Sequence, residues 1–235
     1  MKVTEYGSGA PRVAIVGGVH GNEHIGVHVI EKLAGLEIAG SLKYIIANEE
    51  ALQLNQRFVE ADLNRSFPGK RYGNHEEKLA DTLLKELSDA DYVFDIHSTS
   101  VETPDFVITV GKNSLAQYFP LPKVVDMSGF AKGVSLIENV TQGISLEYAD
   151  ITSAKQVACQ LQQCLVNLGL LKGSPAPLQQ ERYVVYKILE KTEQNKNITL
   201  ENFVETELNG ERFIPILYGE GGYPDILCLK ARKVG

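Results

Sequence analysis

Apolar residues along the chain fall into two patterns: short unbroken runs of Val, Ile, Leu and Phe, and longer stretches in which they return every three or four positions. Unbroken runs of four to eight residues mark strands buried on both faces, whereas the three-or-four spacing marks one face of a helix. Strands are therefore predicted at RVAIVGG (12–18), SLKYIIA (41–47), DYVFDIH (91–97), FVITVG (106–111) and GISLEY (143–148). Helices are predicted to start near Asn22, Glu50 and Asn74. The clearest helical period runs from about Asp150 to Leu171, with Ala154, Val157, Leu161, Cys164, Leu168 and Leu171 on one face and Asp150 or Thr152 as its cap. This alternation predicts an α/β fold, a sheet with helices on its faces.

The segment KGSPAPLQQ interrupts the helical pattern, and residues 173–180 read as a linker between a larger unit, 1–172, and a smaller one, 181–235. Beyond it RYVVYKIL, ITLENFVETEL, RFIPILY and DILCLKARK are strand-like, separated by the turn-prone segments EQNKN, NGE and GEGGYP. About 55 residues make a small β domain that leans on its neighbour for stability.

Composition narrows the functional classes. The 235 residues are 43% hydrophobic and 23% charged, ordinary globular usage. A formal charge of −7, from 23 Lys and Arg against 30 Asp and Glu, lacks the basic excess that a run of phosphates requires, so nucleic acid is not an expected partner. No stretch approaches the roughly 18 apolar residues needed to span a bilayer, and the first residues show no apolar signal segment, so neither a membrane nor export is expected. The three cysteines form no CxxC motif and read as reduced packing residues in a cytoplasmic protein.

The most informative segment is Gly17-Gly18-Val19-His20-Gly21-Asn22-Glu23-His24, where the first strong strand gives way to a helix. Ligands of open α/β sheets bind beyond the carboxyl ends of the strands, and imidazole with carboxylate suits Zn²⁺. A catalytic zinc takes three protein ligands, and DYVFDIHSTS supplies the third at His97, with Asp95 two residues earlier on the same strand face to orient it. The ligand set is then His20, Glu23 and His97. The alternative HxxEH reading makes His20 and His24 the ligands and Glu23 the base, but it needs a helix through a segment that contains Gly18 and Gly21. Arg57 and the loop Asp62-Leu63-Asn64-Arg65-Ser66-Phe67-Pro68-Gly69 bring two guanidinium groups close in sequence, suited to gripping a carboxylate or stabilising an oxyanion. Glu147 ends an apolar strand, where partial burial would raise its pKa into the range of a proton shuttle.

Together GGVHGNEHIG, DLNRSFPG, DIHST and the strand-end Glu147 resemble the succinylglutamate desuccinylase/aspartoacylase family, from about residue 10 to 150 and more loosely beyond. The resemblance implies a zinc carboxypeptidase-like catalytic domain, a mixed, mostly parallel sheet flanked by helices, with a small C-terminal β domain partly covering the site. It implies one zinc per chain on His20, Glu23 and His97, with Arg57 polarising the scissile carbonyl. Asn64 and Arg65 would bind a substrate carboxylate, Glu147 would serve as general base and acid, and Tyr223, in the EGGY segment, would contact substrate. The implied activity is removal of an acyl group from an N-acyl amino acid or related small carboxylate. A metallocarboxypeptidase acting on peptides and a metal-binding module without catalysis are the competing readings, and the oligomeric state, a homo-oligomer included, stays open. One departure bears on specificity: aspartoacylases carry an Arg ten residues before the catalytic glutamate, where this chain has Ile137, and a Tyr where it has Gly133. Amino acids with neutral or basic side chains are accordingly expected as better leaving groups than aspartate.

Overall fold

The computed structural model describes residues 1–149, 151–222 and 224–234. Its strands are β1 (Lys2–Gly7), β2 (Arg12–Gly17), β3 (Ser41–Ile46), β4 (Tyr92–Thr99), β5 (Phe106–Thr109), β6 (Lys123–Asp126), β7 (Gly143–Ala149), β8 (Glu181–Glu190), β9 (Thr206–Leu208), β10 (Glu211–Ile216) and β11 (Ile226–Val234). The helices are α1 (Ile25–Leu33), α2 (Glu49–Leu54), α3 (His75–Leu87) and α4 (Ala154–Asn167). The strands hydrogen-bond in the order β1-β3-β2-β4-β7-β5-β6-β8-β11-β10-β9. Parallel pairing joins β3 to β2, β2 to β4, β4 to β7, β5 to β6 and β6 to β8. Antiparallel pairing adds β1 at one edge, turns β5 against β7, and builds β8, β11, β10 and β9 at the other edge. The fold is thus α/β around a mixed sheet.

The unbroken apolar runs are explained by burial on both sides. From β2, Val13 and Ile15 join a core formed with Val29, Leu33, Val157, Leu161 and Leu165 of α1 and α4. Ala14 and Val16 face the opposite way, into a second core with Ala80, Leu83 and Leu87 of α3. Burying a side chain of this size contributes roughly 1.5–3 kcal/mol, so the central strands are held by both layers. Where α1 begins, its backbone comes so close to β2 that a Cβ at Gly17 would lie 2.6 Å from the Gly26 carbonyl carbon.

Side chains satisfy the first N–H groups of α2, α3 and α4 but not of α1, and two expected starts are corrected. Instead of a start near Asn22, the Glu23 N–H donates to the His20 carbonyl in a tight turn and α1 opens at Ile25. The last helix starts at Ala154, capped by Ser153, whose hydroxyl accepts from the Gln156 N–H. Thr152 does not cap it, and its hydroxyl lies on Asp105 instead; Asp150 lies outside the described residues. Asn48 and Asn74 cap α2 and α3, the latter in a reciprocal capping box with Glu77.

The C-terminal strands continue the same sheet. β8 runs parallel to β6, and Tyr183, Val185, Ile214, Ile216, Leu229 and Ala231 pack with Phe106 and Val125 from the first part of the chain. ITLENFVETEL is a strand only at Thr206–Leu208. Upstream, the Asn202 amide donates to the Glu102 carbonyl and its oxygen accepts from the Tyr218 N–H. Phe203, at a φ of 65°, turns its ring onto Phe106 and Tyr183, and a chain tied in this way is not free to join a ladder. Cys164 and Cys228 are buried as expected, whereas Cys159 is exposed on α4, so packing does not account for it. Among the described residues no helix is long and apolar enough to cross a membrane.

Candidate metal and catalytic site

The site forms where the polar residues after β2 meet the ends of β4 and β7. His20 and Glu23 stand in the turn between β2 and α1, and His97 lies in β4, which runs two residues beyond it. The turn is seated on α2: the Gly21 N–H donates to the Arg57 carbonyl, and a Cβ at Gly21 would lie 2.0 Å from the Ala51 carbonyl carbon. Only glycine fits there, which accounts for the residue following His20.

His20, Glu23 and His97 are all buried, and one ligand atom from each lies within 4.8 Å of the others. Glu23 divides its carboxylate between the two rings, Oε1 at 2.7 Å from His20 Nδ1 and Oε2 at 3.0 Å from His97 Nδ1. The far nitrogens are held too, His20 Nε2 at 3.1 Å from Asp62 Oδ1 and His97 Nε2 at 2.7 Å from Asp95 Oδ2. This donor set fits a cation. A neutral imidazole that donates Nε2–H to an aspartate presents a lone pair at Nδ1, and two such lone pairs facing a carboxylate repel unless a proton or metal ion lies between them. The group could therefore hold a metal ion. The HxxEH alternative is not realised: residues 20–24 are not helical, and His24 Nε2 lies 2.8 Å from Asn55 Oδ1 while its ring stacks on His28.

The charges reinforce this arrangement. Burial disfavours charge on His20, His97 and Glu23, but in each case the opposite charges beside it win: both histidine pKa values are raised and that of Glu23 is lowered. Asp62 is likewise lowered, against its burial, by His20, Arg57 and Arg65. Arg57 is half-buried; its Nε and Nη2 donate to Asp62 Oδ2 at 3.2 and 3.1 Å, and its Nη1 to Glu23 Oε1 at 3.3 Å. It thus lies against the His20, Glu23 and His97 group. Asp62, which orients His20, opens the DLNR loop but was not singled out from sequence; an aspartate that caps a short turn through its own Oδ1, here to the Asn64 N–H, gives no hint of a second contact 42 residues away.

Glu147 pairs with His97 in the parallel register of β7 and β4, so the two share a face of the sheet. Burial, with the carboxylates of Glu23 and Asp95 adding to it against the two histidines, pushes its pKa up to about 7. Asn64 and Arg65 follow Asp62 in the short turn that it caps. The Asn64 Oδ1 accepts from the Leu136 N–H, and Arg65 is exposed, its Nη1 donating to the Asn64 carbonyl. Ile137, next to Leu136, is buried against Gly143. Tyr223 lies outside the described residues. Its neighbourhood is anchored nonetheless: Glu220 accepts from Thr99 Oγ1 at 2.5 Å and from the Ser100 and Gly222 N–H groups, and a Cβ at Gly222 would lie 3.0 Å from Arg57 Nη1. Beyond the ends of β4 and β7 opens a cavity of about 1040 Å³, bordered by Ser100, Val101, Ala149, Phe203 and Tyr218 among others.

Known proteins share this architecture. Residues 9–111 match the family model of the Succinylglutamate desuccinylase/Aspartoacylase catalytic domain. A probable aspartoacylase of Acaryochloris marina (strain MBIC 11017) is 26% identical over 241 residues, covering 89% of this chain and 82% of that protein. The crystal structure of the succinylglutamate desuccinylase from Chromobacterium violaceum superposes with a TM-score of 0.77 at 16% identity, covering 99% of this chain and 88% of that one. Murine aminoacylase 3 gives 0.74 at 20% identity and 97% coverage of both. With the HxxE turn, the DLNR loop and the DIHS strand gathered at one end of that shared sheet, the chain is similar to the succinylglutamate desuccinylase/aspartoacylase family, whose catalytic-domain model matches its residues 9–111.

Proposed function

We propose that the protein is a zinc-dependent amidohydrolase that removes an acyl group from an N-acyl amino acid or a related small carboxylate. The observation that carries this reading is the buried Glu23 carboxylate shared between two histidine Nδ1 atoms, with Glu147 in register beside one of them. The names of the relatives, aspartoacylase, succinylglutamate desuccinylase and aminoacylase, support it. His20, Glu23 and His97 would hold the zinc, and Asp62 and Asp95 would keep the rings aligned. Bound there, the ion would supply Lewis acidity and lower the pKa of water.

The chain's own groups would do the rest. Arg57, fixed by Glu23 and Asp62, would place its guanidinium against the amide oxygen as negative charge develops there. Glu147, with a pKa near neutrality, would take a proton from the attacking water and return it to the nitrogen as the C–N bond breaks, leaving a carboxylate and an amine. Asn64 and Arg65 would grip the substrate carboxylate and Tyr223 would contact the substrate, while the Glu220 loop and the C-terminal strands would restrict access to small substrates. That restriction favours deacylation over peptide digestion, and the position of Glu147 beside His97 disfavours a metal-binding module without catalysis. A burial-compatible cation is missing at Ile137, so acyl derivatives of neutral or basic amino acids should be hydrolysed with higher kcat/KM than N-acetylaspartate.

The test is a panel of N-acyl amino acids beside unblocked peptides, read as free amine. Release from the acyl compounds is expected, with N-acetylaspartate the poorer substrate. Release of C-terminal residues from peptides alone would favour a carboxypeptidase, and a clear preference for N-acetylaspartate would overturn the inference from Ile137.

A further inference from the structure

Between Arg57 and Asp62 the chain is irregular, yet both ends must be placed closely: Arg57 reaches Glu23 and Asp62, and Asp62 reaches His20. Nothing in regular secondary structure fixes this segment. Its ends are tied by the Gly21 N–H on the Arg57 carbonyl and by the turn that Asp62 caps, and its middle is held by one carboxylate. The N–H groups of Val59, Glu60 and Ala61, three in succession, donate to Glu76 at 2.7, 3.0 and 2.9 Å, and the Asn48 side-chain amide donates at 3.1 Å. Glu76 is completely buried in the first turn of α3.

Such a group needs a reason. Burying a carboxylate is costly unless strong donors surround it, and the usual reason for an acid at a helix start is capping. Capping is already provided by Asn74 and Glu77, so α3 does not need Glu76 to begin. Its four partners lie elsewhere, on the Arg57–Asp62 segment and on Asn48, the cap of α2 against which the His20 turn is seated. Charge-assisted bonds of this kind are about twice as strong as neutral ones, and three on consecutive residues leave the backbone little freedom.

We propose that Glu76 is a positioning residue for the site, holding the Val59–Ala61 backbone so that Arg57 and Asp62 meet Glu23 and His20 together. It touches neither substrate nor metal and acts through those two side chains. Its consequence for turnover rests on the deacylase reading, whereas its consequence for metal binding does not.

Glu76→Gln, which sets an amide NH₂ against N–H donors, and Glu76→Asp, which keeps the charge but withdraws it, test this at a temperature where circular dichroism shows the variants folded. Zinc affinity is measured without substrate, by competition with a chromophoric chelator, and kcat and KM are measured in the parent and in an Arg57→Ala background. Affinity for zinc is expected to fall about 10-fold or more through the Asp62–His20 contact. The kcat is expected to fall about 10- to 100-fold with KM changed only a few-fold, and to fall little further once Arg57 is already Ala. Folded variants that lose thermal stability but keep parental zinc affinity and kcat would overturn the proposal, as would a full multiplicative loss on top of Arg57→Ala. If Glu76→Gln fails to fold, Glu76→Asp decides by the same readings. A parent that hydrolyses no N-acyl amino acid would instead count against the deacylase reading and leave the zinc measurement to judge Glu76.

Discussion

Glu147 shows what one residue's surroundings can do. Its ordinary pKa of 4.5 rises to about 7 because burial removes water from the carboxylate and two other carboxylates stand near it. Replaced by Gln, a near-isostere, it is expected to leave metal binding intact and to lower turnover by roughly 10²- to 10⁴-fold, measured as kcat beside zinc content. A variant within a few-fold of the parent would assign the proton to another group. The same shift has a signature in stability. A raised carboxyl pKa stabilises the fold fully below pH 4.5 and loses that contribution as pH rises through 7. Metal-free Glu147→Gln should therefore match the parent near pH 4 and exceed it above pH 7, by on the order of 3 kcal/mol in denaturant titrations. His20, Glu23, His97, Arg57 and Glu147 were legible because each stands at a strand end or in a polar loop with little else to do. Asp62 was passed over because it already had a local task as a cap, and Glu76 because an acid in HEEK looks like any helix start.

At the scale of elements, the apolar runs located the central strands within a residue or two, since hydrophobic burial on both faces leaves a continuous pattern. Element starts were less legible, because a cap is chosen by which side chain is free to turn back on the backbone. Thr152 and Ser153 are chemically alike, and what separates them is their surroundings: the Thr152 hydroxyl lies on the distant Asp105, whereas that of Ser153 turns back on the Gln156 N–H. Ser153→Ala should consequently cost about 1 kcal/mol of stability, read from thermal or denaturant unfolding, with kcat unchanged. Thr152→Ala producing the same loss of helix capping, with Ser153→Ala neutral, would reverse that assignment. β1, polar and at the sheet edge, has no apolar signature and was invisible in the sequence, as was the four-residue β6. ITLENFVETEL was misread because alternation predicts a strand wherever it occurs, while Asn202 and Phe203 are drawn into contacts with Glu102, Tyr218 and Phe106 that no local pattern encodes.

For the whole molecule, the sheet passes without a break from the strands that carry the site to those after residue 180. Phe106 and Val125 bury against side chains from β8, β10 and β11, and the Glu220 loop ties the C-terminal region to Thr99 and Ser100 at the end of β4. A chain ending at Gln180 would expose that apolar face and a bare strand edge, and is expected to aggregate on expression; a soluble 1–180 fragment that binds zinc would show the two parts to be independent. For the anionic substrate proposed, the net charge of −7 gives no general attraction, so Arg57 and Arg65 would have to supply it locally. Arg65→Leu should weaken kcat/KM for carboxylate substrates, with Lys a poor substitute for the forked guanidinium, and equal hydrolysis by the Leu variant would move the carboxylate elsewhere. The central claim, a zinc deacylase built on His20, Glu23 and His97, is tested most directly by titrating metal-free protein with zinc while following amine release from an N-acyl amino acid. The account predicts that activity rises in proportion to zinc and stops at one ion per chain, and that folded His97→Ala neither retains that ion nor gains activity. Full zinc retention by His97→Ala, or undiminished amine release by the metal-free protein, would contradict it.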